Sequence, residues 1–288
     1  MKLFFTSILA TCSILSCAAQ PPNVSQLLYV IEGKEVAYPR LSNDGKKILY
    51  QSNQNGPWEL YIMDIAAKTH EKVMADGSNN NFPDWSADNE WIGFVSDRTG
   101  NEEIYVMRKD GSELKKLTEH PARDIHPYFS PDGKQLLFNS TRANESFDVF
   151  QYDLQTGILT QLTNTPQDET CARFTPDMSS IVLLKNDPSS DDVYSMDVKT
   201  GSLQNISNTP HIRDGWPMTS YDNQWVYYSS AESGSYCIYR IRPDGTDKTK
   251  LTDSGGHDDA RVCIARDGKS FIYNQQRGRT IEIRQMNM

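Results

Sequence analysis

Acidic residues recur at one position of this chain with near-constant spacing: Asp124, Glu169, Asp214 and Asp259, preceded in the same series by Val36 and Asn80. Carboxylates gathered by repetition can do three kinds of chemistry. Each can accept backbone N–H groups in its own loop, as aspartate does at turns. Together they can form a docking rim for a partner rich in Lys or Arg, with Arg123 and Arg213, one position earlier, giving register and Trp216 beside them. Their oxygens can also converge on a divalent cation, for which calcium is the suitable ion. A wide opening would force water to bridge, so no cofactor is expected.

His126, His211 and His257 fall near the same loops, whereas His70 and His120 stand apart. Three imidazoles can hold a transition metal and serve a lyase or hydrolase site. These three are not at equivalent positions, which favours hydrogen bonding within loops. No catalytic residue is therefore assigned.

What would bring such residues together is a repeat. Pro127-Tyr-Phe-Ser-Pro-Asp-Gly133 has counterparts starting at Pro39, Pro83, Ala172, Pro217 and Val262, at steps of 44, 44, 45, 45 and 45 residues. That period indicates a four-stranded sheet repeated around an axis. In residues 127–165 a short strand from Pro127 leads into a Pro-Asp-Gly-Lys turn. Strands follow over 135–140, 148–153 and 159–163, with apolar residues at alternate positions. The last unit ends at its third strand, while residues 26–32 precede the first motif where a fourth strand belongs. The expected fold is an all-β, six-bladed β-propeller over residues 26–288, its ring closed by residues 26–32.

The loops from fourth to first strands and from second to third strands share one face of such a disc, which puts the carboxylate series around the channel mouth. The repeated aspartates 44, 88, 132, 177, 222 and 267 read as turn chemistry. An Asp-box reading fails because the Trp that completes such a box is missing. Trp58, Trp85, Trp91 and Trp225 read as core, and Trp216 as a residue of the rim.

Ser96-Asp-Arg-Thr-Gly-Asn-Glu-Glu-Ile-Tyr-Val-Met, continuing to Thr118, resembles the repeat of the TolB-type propeller, as does Ser130-Pro-Asp-Gly-Lys. The resemblance covers nearly all of the chain beyond the first 25 residues and fades at Asp177-Met-Ser and Asp222-Asn-Gln, where the turn glycine is missing. It implies an interaction propeller of the cell envelope, without the additional domain that precedes the propeller in the Tol-system protein. Similar propellers accompany the hydrolase domain of prolyl-oligopeptidase-like peptidases. No Gly-x-Ser-x-Gly elbow occurs here, so that activity is not expected.

Composition narrows the partners. With 38 acidic and 29 basic residues the net charge is −9, which argues against a nucleic-acid binder. Residues 1–20 read as a secretory signal: Lys2, an apolar stretch, then Ser16-Cys17-Ala18-Ala19. Ile14-Leu15-Ser16-Cys17 also resembles a lipobox, with Cys17 as the lipidated residue and 21–25 as a short tether. Cleavage near Ala18 or Ala19 without lipidation stays open. The remaining Cys171, Cys237 and Cys263 form neither a zinc pattern nor a disulfide framework, and Cys171 and Cys263 read as buried thiols beside inner strands.

The sequence therefore reads as a monomeric, non-catalytic docking propeller, periplasmic or attached to the outer membrane by a lipid. It would bind an envelope protein, or a glycan, at the channel mouth. The alternative is a carbohydrate-active lyase or hydrolase with its site in the same place.

Overall fold

The computed structural model describes residues 25–288; the leader sequence and Cys17 lie outside the described residues. Six four-stranded antiparallel sheets follow one another, and five of them have their strands in simple chain order. The sixth is completed by the N-terminal strand Ser25–Tyr29, which pairs antiparallel with the last strand, Thr280–Asn287. Leu27 lies opposite Arg284, and Arg284 Nε donates to Ser25 Oγ at 2.6 Å. The expected ring closure is thus present, over a slightly shorter segment than residues 26–32.

Alternation along each strand puts apolar side chains on both faces of a blade, and neighbouring blades bury them against each other. Leu49, Leu60 and Ile62 of blade 1 pack with Trp85, Ile92, Phe94 and Met107 of blade 2. At the closure, Val36, Ile48 and Tyr50 of blade 1 pack with Cys263, Ile272 and Ile283 of blade 6.

The turns between first and second strands follow one recipe. Ser42, Ser86, Ser130 and Ser220 each donate an Oγ hydrogen bond of 2.6 Å to the aspartate two residues on, and Thr175 does so at 2.7 Å. Each aspartate also accepts the backbone N–H two residues further along, as Asp132 does from Lys134 at 3.1 Å. These bonds hold the turn carboxyls below the usual carboxylate range, led by the serine in Asp44, Asp88 and Asp222. This is the turn chemistry that the sequence pattern indicated.

The inner strands begin three or four residues earlier than the motif suggests: Val36–Leu41, Asn80–Trp85, Asp124–Phe129, Asp168–Phe174, Asp214–Thr219 and Asp258–Ile264. Each contains a bulge. Tyr38, Phe82, His126, Cys171, Trp216 and Arg261 all sit at φ between 51° and 57°, where the pairing register shifts. A left-handed conformation costs a side-chain-bearing residue about 1–2 kcal/mol, so six of them must be held by their surroundings.

Candidate functional site

The early start of the inner strands relocates the carboxylate series. Asp124, Glu169, Asp214 and Asp259 are first or second residues of strands and are almost fully buried, at 0–2% exposure, instead of standing in loops around an open mouth. Asp124 accepts from Arg142 Nη2 at 2.5 Å, and Glu169 meets Lys185 Nζ at 3.3 Å and the Thr165 hydroxyl. Asp214 accepts from Thr209 Oγ1 at 2.8 Å, and Asp259 from Gln275 Nε2 at 2.8 Å. Asn80, in the same series, accepts from Arg98 Nη2 at 2.9 Å. Burial pushes the carboxyls of Asp124, Asp214 and Asp259 up, against the pull of these partners. They fasten the loop-side end of blades 3 to 6, and their charges are spent on these internal partners.

The position one residue earlier joins blades. Asp168 Oδ1 accepts Phe147 N at 2.7 Å, and Asp258 Oδ1 accepts Tyr236 N at 2.9 Å, each from the preceding blade. Arg123 and Arg213 occupy the equivalent places and are exposed. They reach the preceding blade through Glu102 at 2.5 Å and Asp191 at 3.8 Å. The repeat alone carries no mark of this inter-blade pairing.

The histidines do not converge. His211 and His257 are exposed on loops, whereas His126 is a bulge residue on the channel axis. Its ring lies 4.4 Å from that of Phe82, with Nδ1 3.8 Å from Cys171 Sγ. Burial, then Arg40, Arg173 and Arg261, push its pKa down to about 3, so it is neutral at ordinary pH. Among the described residues no group of three His, Cys, Asp or Glu side chains is placed to hold a metal. Trp216 is likewise a bulge residue, part-buried, with its ring 5.7 Å from that of Tyr236 in the loop between the second and third strands of blade 5.

Two rings of side chains line the axis, one on each side of the first motif residue. The bulge ring is Tyr38, Phe82, His126, Cys171, Trp216 and Arg261. Tyr38 and Phe82 meet edge to face at 4.8 Å, and Arg261 lies between Tyr38 and Trp216, at 4.6 and 4.7 Å from their rings. Below it come Arg40, Asp84, Tyr128, Arg173, Met218 and Cys263, which surround a cavity of about 570 Å³ opening among the Ser-x-Asp turns. Arg40 Nη2 donates to Tyr128 Oη at 3.2 Å, and its Nε is 3.6 Å from Asp84 Oδ1. This second ring was missed. The signal available was a position that varies freely, through Arg, Asp, Tyr and Met, inside an otherwise repeated motif.

Comparison with known proteins agrees with this geometry. A sequence profile described as the TolB beta propeller domain matches residues 26–173 and, overlapping them, 147–288. TolB from Acinetobacter baumannii is similar in structure, with a TM-score of 0.66 and 26% identity, over 75% of this chain and 53% of that one. This chain therefore spans about half the length of that protein. A putative TolB from Agrobacterium tumefaciens gives a TM-score of 0.70 at 19% identity, over 88% of this chain and 90% of that one. An oligogalacturonate lyase from Vibrio parahaemolyticus gives 0.62 at 11% identity, over 91% and 93%. At those identities the last two likenesses show a common fold alone. No curated protein sequence matches this chain.

Proposed function

This chain belongs to the TolB β-propeller domain family, and on that basis we propose that it is an exported docking propeller of the bacterial cell envelope, with a protein partner seated on its loop face. One observation carries the reading: the two faces of the disc are built differently. One repeats the same Ser-x-Asp turn, with its polar groups satisfied internally. The other has loops that differ from blade to blade and display Glu119, Arg123, His211, Arg213, Asp253 and His257 to solvent. Variable loops on a rigid scaffold are where selective recognition is usually found, and mixed exposed charge sets register and encounter rate more than raw affinity.

Arg123 and Arg213 remain the proposed contacts, while Asp124, Glu169, Asp214 and Asp259 act behind them by fixing the loop bases. The second reading is a carbohydrate-active lyase or hydrolase site in the same channel mouth; the three histidines considered for it occupy separate settings.

The test is site-specific photo-crosslinking in cell envelopes. Probes replace Arg123 or Arg213 on the loop face, and Lys134 or Lys199 on the turn face. Adducts to one envelope protein from the loop-face probes alone are the expected result. Adducts from turn-face probes alone, or equal labelling from both, would overturn the assignment.

A further inference from the structure

The channel wall carries a charge imbalance that the fold does not require. Among the two rings and the turn-face mouth are Arg40, Arg173, Arg261 and Arg266, against a single carboxylate, Asp84. In a chain of net charge −9, an interior surface of the opposite sign is a local feature. Asp84 lies 3.6 Å from Arg40 and also attracts Arg173, so one carboxylate is shared between two guanidinium groups. Among the described residues, Arg173, Arg261 and Arg266 have no carboxylate within 4.0 Å, although most other arginines are paired. Arg173 instead lies over the Tyr128 ring, 3.8 Å from its centroid. Arg40 is only 4% exposed, and its Nε has no hydrogen-bond acceptor, nor does that of Arg261.

Guanidinium groups removed from water without counter-charges are costly, and the usual remedy is a bound anion. The fork of N–H donors on each arginine matches the paired oxygens of a carboxylate or phosphate. The rest of the wall mixes apolar residues, among them Phe129, Phe174 and Met218, with the polar Asn43, Ser130 and Thr219, and the volume of about 570 Å³ suits a molecule of metabolite size. The opening lies on the turn face, where Arg266 is exposed and stands 5.6 Å from the Tyr221 ring.

We propose that the turn-face mouth of the channel binds a small organic oxyanion, bearing a carboxylate or phosphate group, held by Arg40, Arg173 and Arg266 with the Tyr128 hydroxyl beside them. The basicity of His126 on the same axis is depressed first by burial and then by Arg40, Arg173 and Arg261. The cavity is lined by residues of the first-to-second-strand turns, such as Asn43, Ser130 and Arg266, and by none of the bulge ring, so the ligand would enter from the turn face. The site is thus separate from the proposed docking face, and either assignment can fail without the other.

Calorimetric titration of the purified chain at low ionic strength tests this, with citrate as the carboxylate probe and inorganic phosphate as the other. Saturable one-to-one binding is expected, weakened at least tenfold in Arg173→Gln and in Arg266→Gln and unchanged in Lys199→Gln. Stronger citrate binding assigns the site to carboxylates, and stronger phosphate binding to phosphoryl groups. Thermal melting gives an independent readout. Arg173→Gln leaves Asp84 with Arg40 as its partner, and the anion should raise the Tm of wild type but not of the variant. No saturable binding of either anion up to about 10 mM would overturn the proposal. So would an Arg266→Gln variant that binds as wild type does, and this exposed residue can be changed without risk to the core.

Discussion

Asn139 holds Cys171 in its left-handed conformation: its Oδ1 accepts the Cys171 N–H at 3.0 Å while its Nδ2 donates to Glu169 O at 2.9 Å. One buried amide on the second strand of blade 3 thus satisfies both sides of the bulge in blade 4. Asn274 makes the same clamp across the ring closure, to Tyr38 N at 3.0 Å and Val36 O at 2.8 Å. Gln51 reaches the Phe82 N–H at 2.7 Å between blades 1 and 2. Asn139→Ala leaves two buried backbone groups without partners, and the expected loss is about 2–4 kcal/mol in urea unfolding. Asn139→Asp keeps an acceptor for Cys171 N but removes the donor and adds a buried charge, so it should fare no better than alanine.

The N-terminal strand should be essential to stability, though it supplies few of the ring's hydrogen bonds. Leu28, Tyr29 and Ile31 pack on the core shared by blades 6 and 1, and Ser25 Oγ lies 2.7 Å from Tyr273 Oη. A chain starting at residue 33 should lose on the order of 3–5 kcal/mol and show an open edge through aggregation. A chain starting at residue 25 should melt as the longer one does. Equal melting of the two truncations would show that closure contributes nothing.

The sequence disclosed the fold in some detail, because period, turn residues and alternation are written locally: Ser-x-Asp turns, apolar alternation, and a missing fourth strand at one end matched by a spare one at the other. The site was less legible. Tyr38, Phe82, His126, Cys171, Trp216 and Arg261 take a conformation for which glycine is the usual sequence mark, and none of them is glycine. At Phe82, Cys171 and Tyr38 the bulge is held from the neighbouring blade, through Gln51, Asn139 and Asn274, outside the local motif. Missing it misplaced the strand starts, which set Asp124, Glu169, Asp214 and Asp259 in loops when they are buried. The channel arginines were less legible for a related reason: Arg40 and Arg173 share one motif position with Asp84, Tyr128, Met218 and Cys263, so no single residue type marks that ring.

His126 should make stability fall with acid well before the carboxylates protonate. Its folded pKa is depressed to about 3, against the model-peptide value near 6.5. Below that higher value the unfolded chain takes up a proton that the folded chain refuses, so stability is full above about pH 6.5 and declines as pH drops toward the folded value. The dry limit is about 3 kcal/mol by pH 4, and the water-accessible channel will reduce it. His126→Phe should flatten the fall in unfolding free energy between pH 6.5 and 4.5. An unchanged slope would place the acid sensitivity elsewhere.

Cys17→Ser tests the proposed lipid attachment. If Cys17 carries the lipid, the variant should move from the membrane pellet to the soluble fraction after cell breakage. A variant that still sediments with membranes would mean that another element retains the protein there.

The pairing of Leu27 with Arg284 joins chain segments more than 250 residues apart. The first strand of the fold must therefore wait for the last. Blades 1 to 5 can each assemble from a contiguous stretch of chain, while the sixth sheet and the inter-blade contacts on either side of it stay unfinished until both ends of the propeller are present. A chain cut short before residue 280 would be left as an open arc with two unprotected sides. Arrival of the final strand is thus the step that removes both exposed sides at once.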